Sequence, residues 1–143
     1  YSSKNTTSVI KAFLSLPSSY KDFKLIITGQ LDRSQISLAM NAPGILYQNR
    51  LLSKKEIYNT FKKIGCLVSP SEKEGLGLAY HEANNFNCKV ISTDYEPMNE
   101  VCDYGCEVSS VEEDEYMFPR VIVDEKSVLK QMLKYCEDVN GKR

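Results

Sequence analysis

The fold turns on one stretch: Cys66-Leu67-Val68-Ser69-Pro70-Ser71-Glu72-Lys73-Glu74-Gly75-Leu76-Gly77-Leu78-Ala79-Tyr80-His81-Glu82-Ala83, followed shortly by Lys89-Val90-Ile91-Ser92-Thr93. Cys66 to Ser69 is a short apolar run, and Pro70, which lacks a backbone donor, stops it as a strand. Glu74 to Gly77 is a glycine-rich turn. A helix is predicted from about Leu78 to Phe86, and Lys89 to Thr93 reads as the next buried strand. A strand, a turn, a helix and a second strand apolar on both faces make a βαβ unit, whose strands run parallel.

The same alternation extends in both directions. Val9, Ile10, Phe13 and Leu14 recur at helical spacing until Pro17, and Asn5-Thr6-Thr7 ahead of them reads as a helix N-cap. Lys24 to Gly29 is a buried strand, Gln30 to Met40 is ambiguous, and Ile45-Leu46-Tyr47 is a second strand. Ser53 caps a helix, with Glu56 at the capping-box position and Ile57, Tyr58, Phe61 and Ile64 as its apolar face. Gly65 closes it. Pro97 to Val101 reads as a short helical turn, Glu107-Val108-Ser109 as a short strand, and Val111 to Tyr116 as an acidic solvated loop. Asp124 caps a last helix that buries Val128, Leu129, Met132, Leu133 and Cys136. With no hairpin signal anywhere, the expected fold is α/β: a Rossmann-like open parallel sheet with helices on both faces, forming one domain over residues 1–143.

Composition narrows the function classes. The 143 residues carry a net charge of -1, which argues against a nucleic-acid coat or a polybasic membrane patch. The apolar runs are far shorter than the roughly 20 residues that span a bilayer. The five cysteines, at 66, 88, 102, 106 and 136, are odd in number and include no Cys-x-x-Cys pair, so reduced, partly buried thiols in a cytoplasmic setting are expected. The opening Tyr1-Ser2-Ser3-Lys4 reads as the start of a piece of a longer protein.

In open sheets of this kind ligands sit beyond the carboxyl ends of the strands. There the turn before Leu78 combines two glycines with a helix N-terminus, whose unpaired N–H groups and dipole suit a phosphate or diphosphate. The pattern is neither Gly-x-Gly-x-x-Gly nor a Walker loop. Glu82, four residues into the helix, can accept two hydrogen bonds from the vicinal diol of a ribose. On spacing alone the simpler reading of Glu82 is an exposed helix glutamate, and of Glu74 a carboxylate favoured by the nearby helix N-terminus. Asp94-x-Glu96 is a loop pair rather than a metal site. His81 faces away from Glu82, in a surface role.

Glu74 and Glu82 are separated by seven residues, with Gly-Leu-Gly-Leu after the first and Ala83 after the second. This resembles the E-x7-E signature of retaining glycosyltransferases of GT-B architecture, in particular family 4, the group 1 glycosyl transferases. Pro70-Ser71, Lys89 to Asp94 with Pro97 and Glu100, Lys24 to Gly29, and Ser3-Lys4-Asn5 resemble further elements of that family, over about residues 3 to 136. The resemblance implies the C-terminal, donor-binding domain of a two-domain enzyme, lacking its first strand and the N-terminal acceptor domain.

It also implies the ligand, a nucleotide-diphosphate sugar on UDP or GDP, transferred with retention and without a metal or other cofactor. Glu74 would be the catalytic residue, approaching the hydroxyls of the transferred sugar. Glu82 would grip the ribose. The amides around Gly75, Leu76, Gly77 and Leu78 would meet phosphates and sugar, and Lys4 would neutralise the departing diphosphate. Arg50 and Leu51 fall where the base is contacted. Asn5 stands where the family usually has Gly, a mild change because Asn tolerates similar backbone angles. Membrane contact would come only through parts outside this chain. Two other readings remain open. A flavodoxin-like or receiver-like binding module would use the same crevice without the two glutamates. A glycoside hydrolase would place two carboxylates across a sugar.

Overall fold

The computed structural model describes residues 4–40 and 42–141. Ser3 of the Ser3-Lys4-Asn5 element and the first residues of the chain lie outside them. The elements run α1 (Thr6–Leu14), a 3-10 turn (Ser18–Tyr20), β1 (Leu25–Thr28), α2 (Arg33–Ala39), β2 (Ile45–Gln48), α3 (Lys54–Lys63), β3 (Cys66–Ser69), α4 (Leu78–Asn85), β4 (Lys89–Thr93), β5 (Tyr104–Cys106), β6 (Val108–Glu113), β7 (Pro119–Val123) and α5 (Glu125–Asn140). The fold is mixed α/β with parallel sheets and helices on both sides, as the alternation predicts.

β1 pairs with β2, and β3 with β4 and β4 with β5, all in parallel. Register is set by short apolar runs: Leu67 stands opposite Val90 and Val68 opposite Ile91. The expected continuous sheet is therefore two parallel groups. Between them β1 and β3 both line an apolar cavity of about 530 Å³, together with Phe13, Ile57, Phe61 and Tyr135. α1 ties the groups together. Its Ile10 is buried with Ile27 of β1 and Ala39, while Val9 and Ala12 pack with Ile91 of β4 and with Val128 and Met132 of α5. Fully burying a side chain such as Ile10 or Ile91 is worth roughly 1.5–3 kcal/mol, so this one helix couples both halves.

Several local readings hold. Ser53 caps α3, accepting from the Glu56 amide at 3.2 Å. Asp124 caps α5, accepting from the Lys126 amide at 3.1 Å. The ambiguous Gln30 to Met40 segment is helical because Asp32 and Gln35 form a reciprocal capping box.

Three readings are corrected. The acidic segment at Val111 is not a loop but part of β6, which pairs antiparallel with β7. The fold thus contains the hairpin that the sequence did not signal. Its turn is closed by the Asp114 carboxylate, which accepts from the amides of Tyr116 and Phe118, both at 2.9 Å. Asn5 stands at the N-cap position of α1 without capping it, because a left-handed φ of 55° turns its side chain elsewhere. α3 ends at Lys63 with Ile64 as an extended C-cap, and Gly65 beyond it is not a left-handed cap; a Cβ there would strike the Tyr135 hydroxyl. Among the described residues no helix is long and apolar enough to cross a membrane.

Candidate functional site

The turn after β3 is held by its carbonyls. The Ser69 carbonyl accepts from the Tyr80 hydroxyl of α4 at 3.0 Å, and that of Pro70 from the Asn5 side-chain amide at 2.7 Å. The Ser71 carbonyl accepts from the Thr93 hydroxyl at the end of β4 at 2.6 Å, and the Glu72 carbonyl from the Val121 amide of β7 at 3.0 Å. Successive carbonyls are thus tied to a different element each. Ser71 and Thr93 are fully buried, where an unsatisfied carbonyl would cost about 1–3 kcal/mol. Burial pushes the Tyr80 phenol above its ordinary range, which keeps it a donor. A backbone gripped this way cannot collapse when a ligand approaches, and that is preorganisation.

Beyond the grip the chain opens. Gly77 takes a left-handed φ of 63° and N-caps α4 with no side-chain partner for the first-turn amides. The Tyr80 amide donates to the Gly77 carbonyl at 3.1 Å, which leaves the Leu78 and Ala79 amides ahead of it without an intrahelical acceptor. Leu76 and Leu78 are 74% and 63% exposed. At Gly75 a Cβ would meet nothing within 4 Å. The turn therefore combines two uncapped amides with an exposed glycine and two exposed leucines.

The expected donor residues fall into two sets. Lys4 and Glu74 are brought together as an ion pair, and the Glu74 carboxylate also accepts from the Ser71 hydroxyl at 3.0 Å. Glu74 is mostly buried, at 18% side-chain exposure. It borders a small cavity of about 150 Å³ that Tyr95, Pro97, Met98, Pro119 and Val121 help to line. Glu82 is half-buried one turn into α4 and makes no hydrogen bond or ion pair among the described residues. It does not line the cavity beside Glu74.

Arg50 and Leu51 follow the carboxyl end of β2 and, among the described residues, make no hydrogen bond or ion pair with either carboxylate. Leu51 is 91% exposed, and Arg50 pairs with Glu56, which holds that carboxyl below its usual range.

His81 is exposed, 3.6 Å from Glu100. Asp94 accepts from the Asn99 side chain at 3.2 Å. Among the described residues no three His, Cys, Asp or Glu side chains gather as a metal site would require. The cysteines are free. Burial pushes the thiol of Cys136 up to about 11 and that of Cys106 to about 12, which leaves them protonated and unreactive near neutrality.

Sequence reasoning missed the supports. Asn5, Thr93, Tyr80 and Val121 act through side chains or amides aimed at loop carbonyls. Arg120 pairs with the Glu72 carboxylate beneath the loop. Only Thr93, polar at the end of an apolar strand, carried a legible signal.

A parallel α/β sheet with a preorganised glycine turn at a helix N-terminus defines a domain of the kind that places a ligand at its strand ends. The family model described as Glycosyl transferases group 1 matches residues 1–115. The chain belongs to that family and is a glycosyltransferase domain. No curated protein matches the chain.

Proposed function

We propose that this chain is the donor-binding half of a retaining glycosyltransferase of GT-B architecture, family 4, and that it takes a nucleotide-diphosphate sugar on UDP or GDP. The observation that carries the reading is the carbonyl-anchored turn that leaves the Leu78 and Ala79 amides of α4 without a capping partner, in the same turn as the Lys4–Glu74 pair. Diphosphate oxygens accept from the α4 amides, where the helix dipole favours them. Lys4 exchanges Glu74 for the diphosphate and stabilises the charge that develops as the sugar carbon–oxygen bond breaks. Glu74, released from Lys4 and oriented by Ser71, accepts from the hydroxyls of the transferred sugar. Glu82 accepts from both ribose hydroxyls, and Arg50 with Leu51 borders the base. No side chain here is assigned as a metal ligand, and no cofactor beyond the donor is invoked. The acceptor is supplied by an N-terminal domain of a cytoplasmic enzyme.

A thermal-shift series with UDP, GDP and ADP, each alone and as UDP-glucose, GDP-mannose and ADP-glucose, tests this. A ligand at 100 times its Kd adds about 2.7 kcal/mol, so one base should raise the midpoint by several degrees and its sugar conjugate further. No shift with any of the six overturns the reading. A shift that survives loss of both Glu74 and Glu82 favours the plain binding module instead.

We infer, as part of the same reading, that a strand preceding Lys4 in the full-length protein occupies the slot between β1 and β3. β1 and β3 each pair in parallel with one neighbour, and both line one apolar cavity. Lys4 and Asn5 are pinned to Glu74 and Pro70, just past the carboxyl end of β3, where a parallel strand in the slot would end. From there α1 leads to β1, the usual right-handed crossover. Fusing a five-residue Val/Ile strand ahead of Tyr1 should slow amide exchange across Leu25–Thr28 and Cys66–Ser69 by about tenfold or more, as capped edges do. Unchanged exchange at both edges would sink this part.

A further inference from the structure

We propose that the β6–β7 hairpin is the positioning element of the donor loop, with Arg120 as its positioning residue. It holds Glu72 and Lys73 so that Glu74 faces the transferred sugar, and Pro119 and Val121 close the pocket that receives the sugar. The inference rests on the function proposed above and extends it to residues beyond the family match, which ends at 115, inside the hairpin turn.

The hairpin reaches the loop at three points. Arg120 Nε donates to the Glu72 carboxylate, which is nearly buried at 10% side-chain exposure. The Val121 amide donates to the Glu72 carbonyl at 3.0 Å. Asp114, at the hairpin turn, pairs with Lys73 at 3.0 Å. The grips fall on consecutive residues immediately before Glu74. A buried carboxylate needs a partner, and Glu72 finds it on a strand distant in sequence. Once Glu72 is fixed at side chain and carbonyl, Glu74 has little freedom beyond its Ser71 contact. The same strand supplies Pro119 and Val121 to the cavity of about 150 Å³ that Glu72 and Glu74 border, opposite Tyr95, Pro97 and Met98. The Asp114 carboxyl is held below its ordinary value, first by the Phe118 amide and then by Lys73, so the turn keeps its charge through the neutral range.

The arrangement makes one element responsible for two things, the aim of Glu74 and the size of the space before it. Val108 and Val121 share an apolar cluster with Tyr80 and Ala83 of α4, but among the described residues no hydrogen bond or ion pair joins the hairpin to Glu82 or to the first-turn amides of α4. Its loss should therefore be felt by the sugar and not by the nucleotide.

The test uses Arg120→Met, which keeps the apolar stem, Arg120→Lys, which keeps the charge without the fork, and the exchanged pair Glu72→Arg with Arg120→Glu. In the ligand-free chain, Arg120→Met should speed amide exchange across Ser71–Gly77 by about tenfold, with Lys89–Thr93 and α5 unchanged. Arg120→Lys should restore part of the protection. In titrations with UDP and UDP-glucose, and the GDP and ADP pairs, Arg120→Met should erase the extra affinity the sugar confers and leave nucleotide affinity within about twofold, because fold-level losses would lower both equally. Unchanged exchange across the loop overturns the positioning role, as does an equal fall in both affinities. If the wild-type chain binds no nucleotide, the proposed function fails, and the exchange readout still decides whether the hairpin positions the loop. The exchanged pair guards against a folding defect: recovered loop protection supports the contact, and a folded pair without it overturns the contact.

Discussion

Glu82→Gln is expected to weaken nucleotide-diphosphate binding by about 10- to 100-fold while leaving the thermal midpoint of the ligand-free chain in place. The affinity loss follows from hydrogen-bond chemistry. A carboxylate accepts from both hydroxyls of a ribose, and hydrogen bonds to a charged group contribute about 1.5–3 kcal/mol each. Glutamine keeps one acceptor and turns a donor toward the second hydroxyl. The unchanged midpoint follows from the structure. Glu82 is half-buried in the body of α4 and has no partner among the described residues, so nothing in the fold depends on its charge. Glutamine and glutamate have similar helix propensities. Isothermal titration with the preferred nucleotide, beside a melting curve without it, reads both halves of the expectation. Equal affinities for wild type and variant would remove Glu82 from the site and favour a binding module that uses the crevice without the glutamates.

Most of the architecture was legible because its signals are local. Apolar runs of four or five residues such as Leu25–Thr28 and Lys89–Thr93 form strands, and the caps at Ser53 and Asp124 start helices where the sequence puts them. The hairpin was not legible. β6 is largely exposed and interrupts its alternation with a bulge between Val108 and Ser110, so its composition is that of a solvated loop. Only the Asp114 turn and the pairing with β7 make it a strand, and both depend on residues that read as ordinary taken singly. The split into two parallel groups was equally invisible, because which edges meet is a property of packing rather than of any run of residues.

The candidate site divides the same way. Glycine spacing and the separation of Glu74 from Glu82 are visible in sequence. The supports at Asn5, Thr93, Tyr80 and Arg120 are long-range contacts. Asn5 illustrates the difference. The Asn-Thr-Thr run suggests a cap, yet its side chain spans to Pro70 across the fold, and only its tolerance of a left-handed backbone was foreseeable.

Gly77→Ala is the second large effect, and it strikes fold and site together. The left-handed φ of 63° costs a non-glycine residue roughly 1–2 kcal/mol. A Cβ at this position would also lie 2.8 Å from Cδ2 of Tyr80. Tyr80 cannot swing aside freely, because it is buried to 2% exposure and its hydroxyl holds the Ser69 carbonyl at 3.0 Å. Relief must come from moving the turn or breaking that hydrogen bond, and either one disturbs the first-turn amides of α4. A fall in midpoint of several degrees is expected, at about 3–6 °C for each kcal/mol in a chain of this size, together with loss of nucleotide binding. Gly75→Ala is the control in the same turn. Its Cβ meets nothing within 4 Å and its φ is not left-handed, so the midpoint should hold and any loss should appear in binding alone. Gly77→Asn separates the two causes, since asparagine tolerates the left-handed backbone but carries the same Cβ. If Asn restores most of the midpoint lost with Ala, the backbone angle dominates and Tyr80 yields. If Asn is as damaging as Ala, the turn is held by the close approach of Tyr80, and the phenol that anchors Ser69 is what keeps α4 aimed at the crevice.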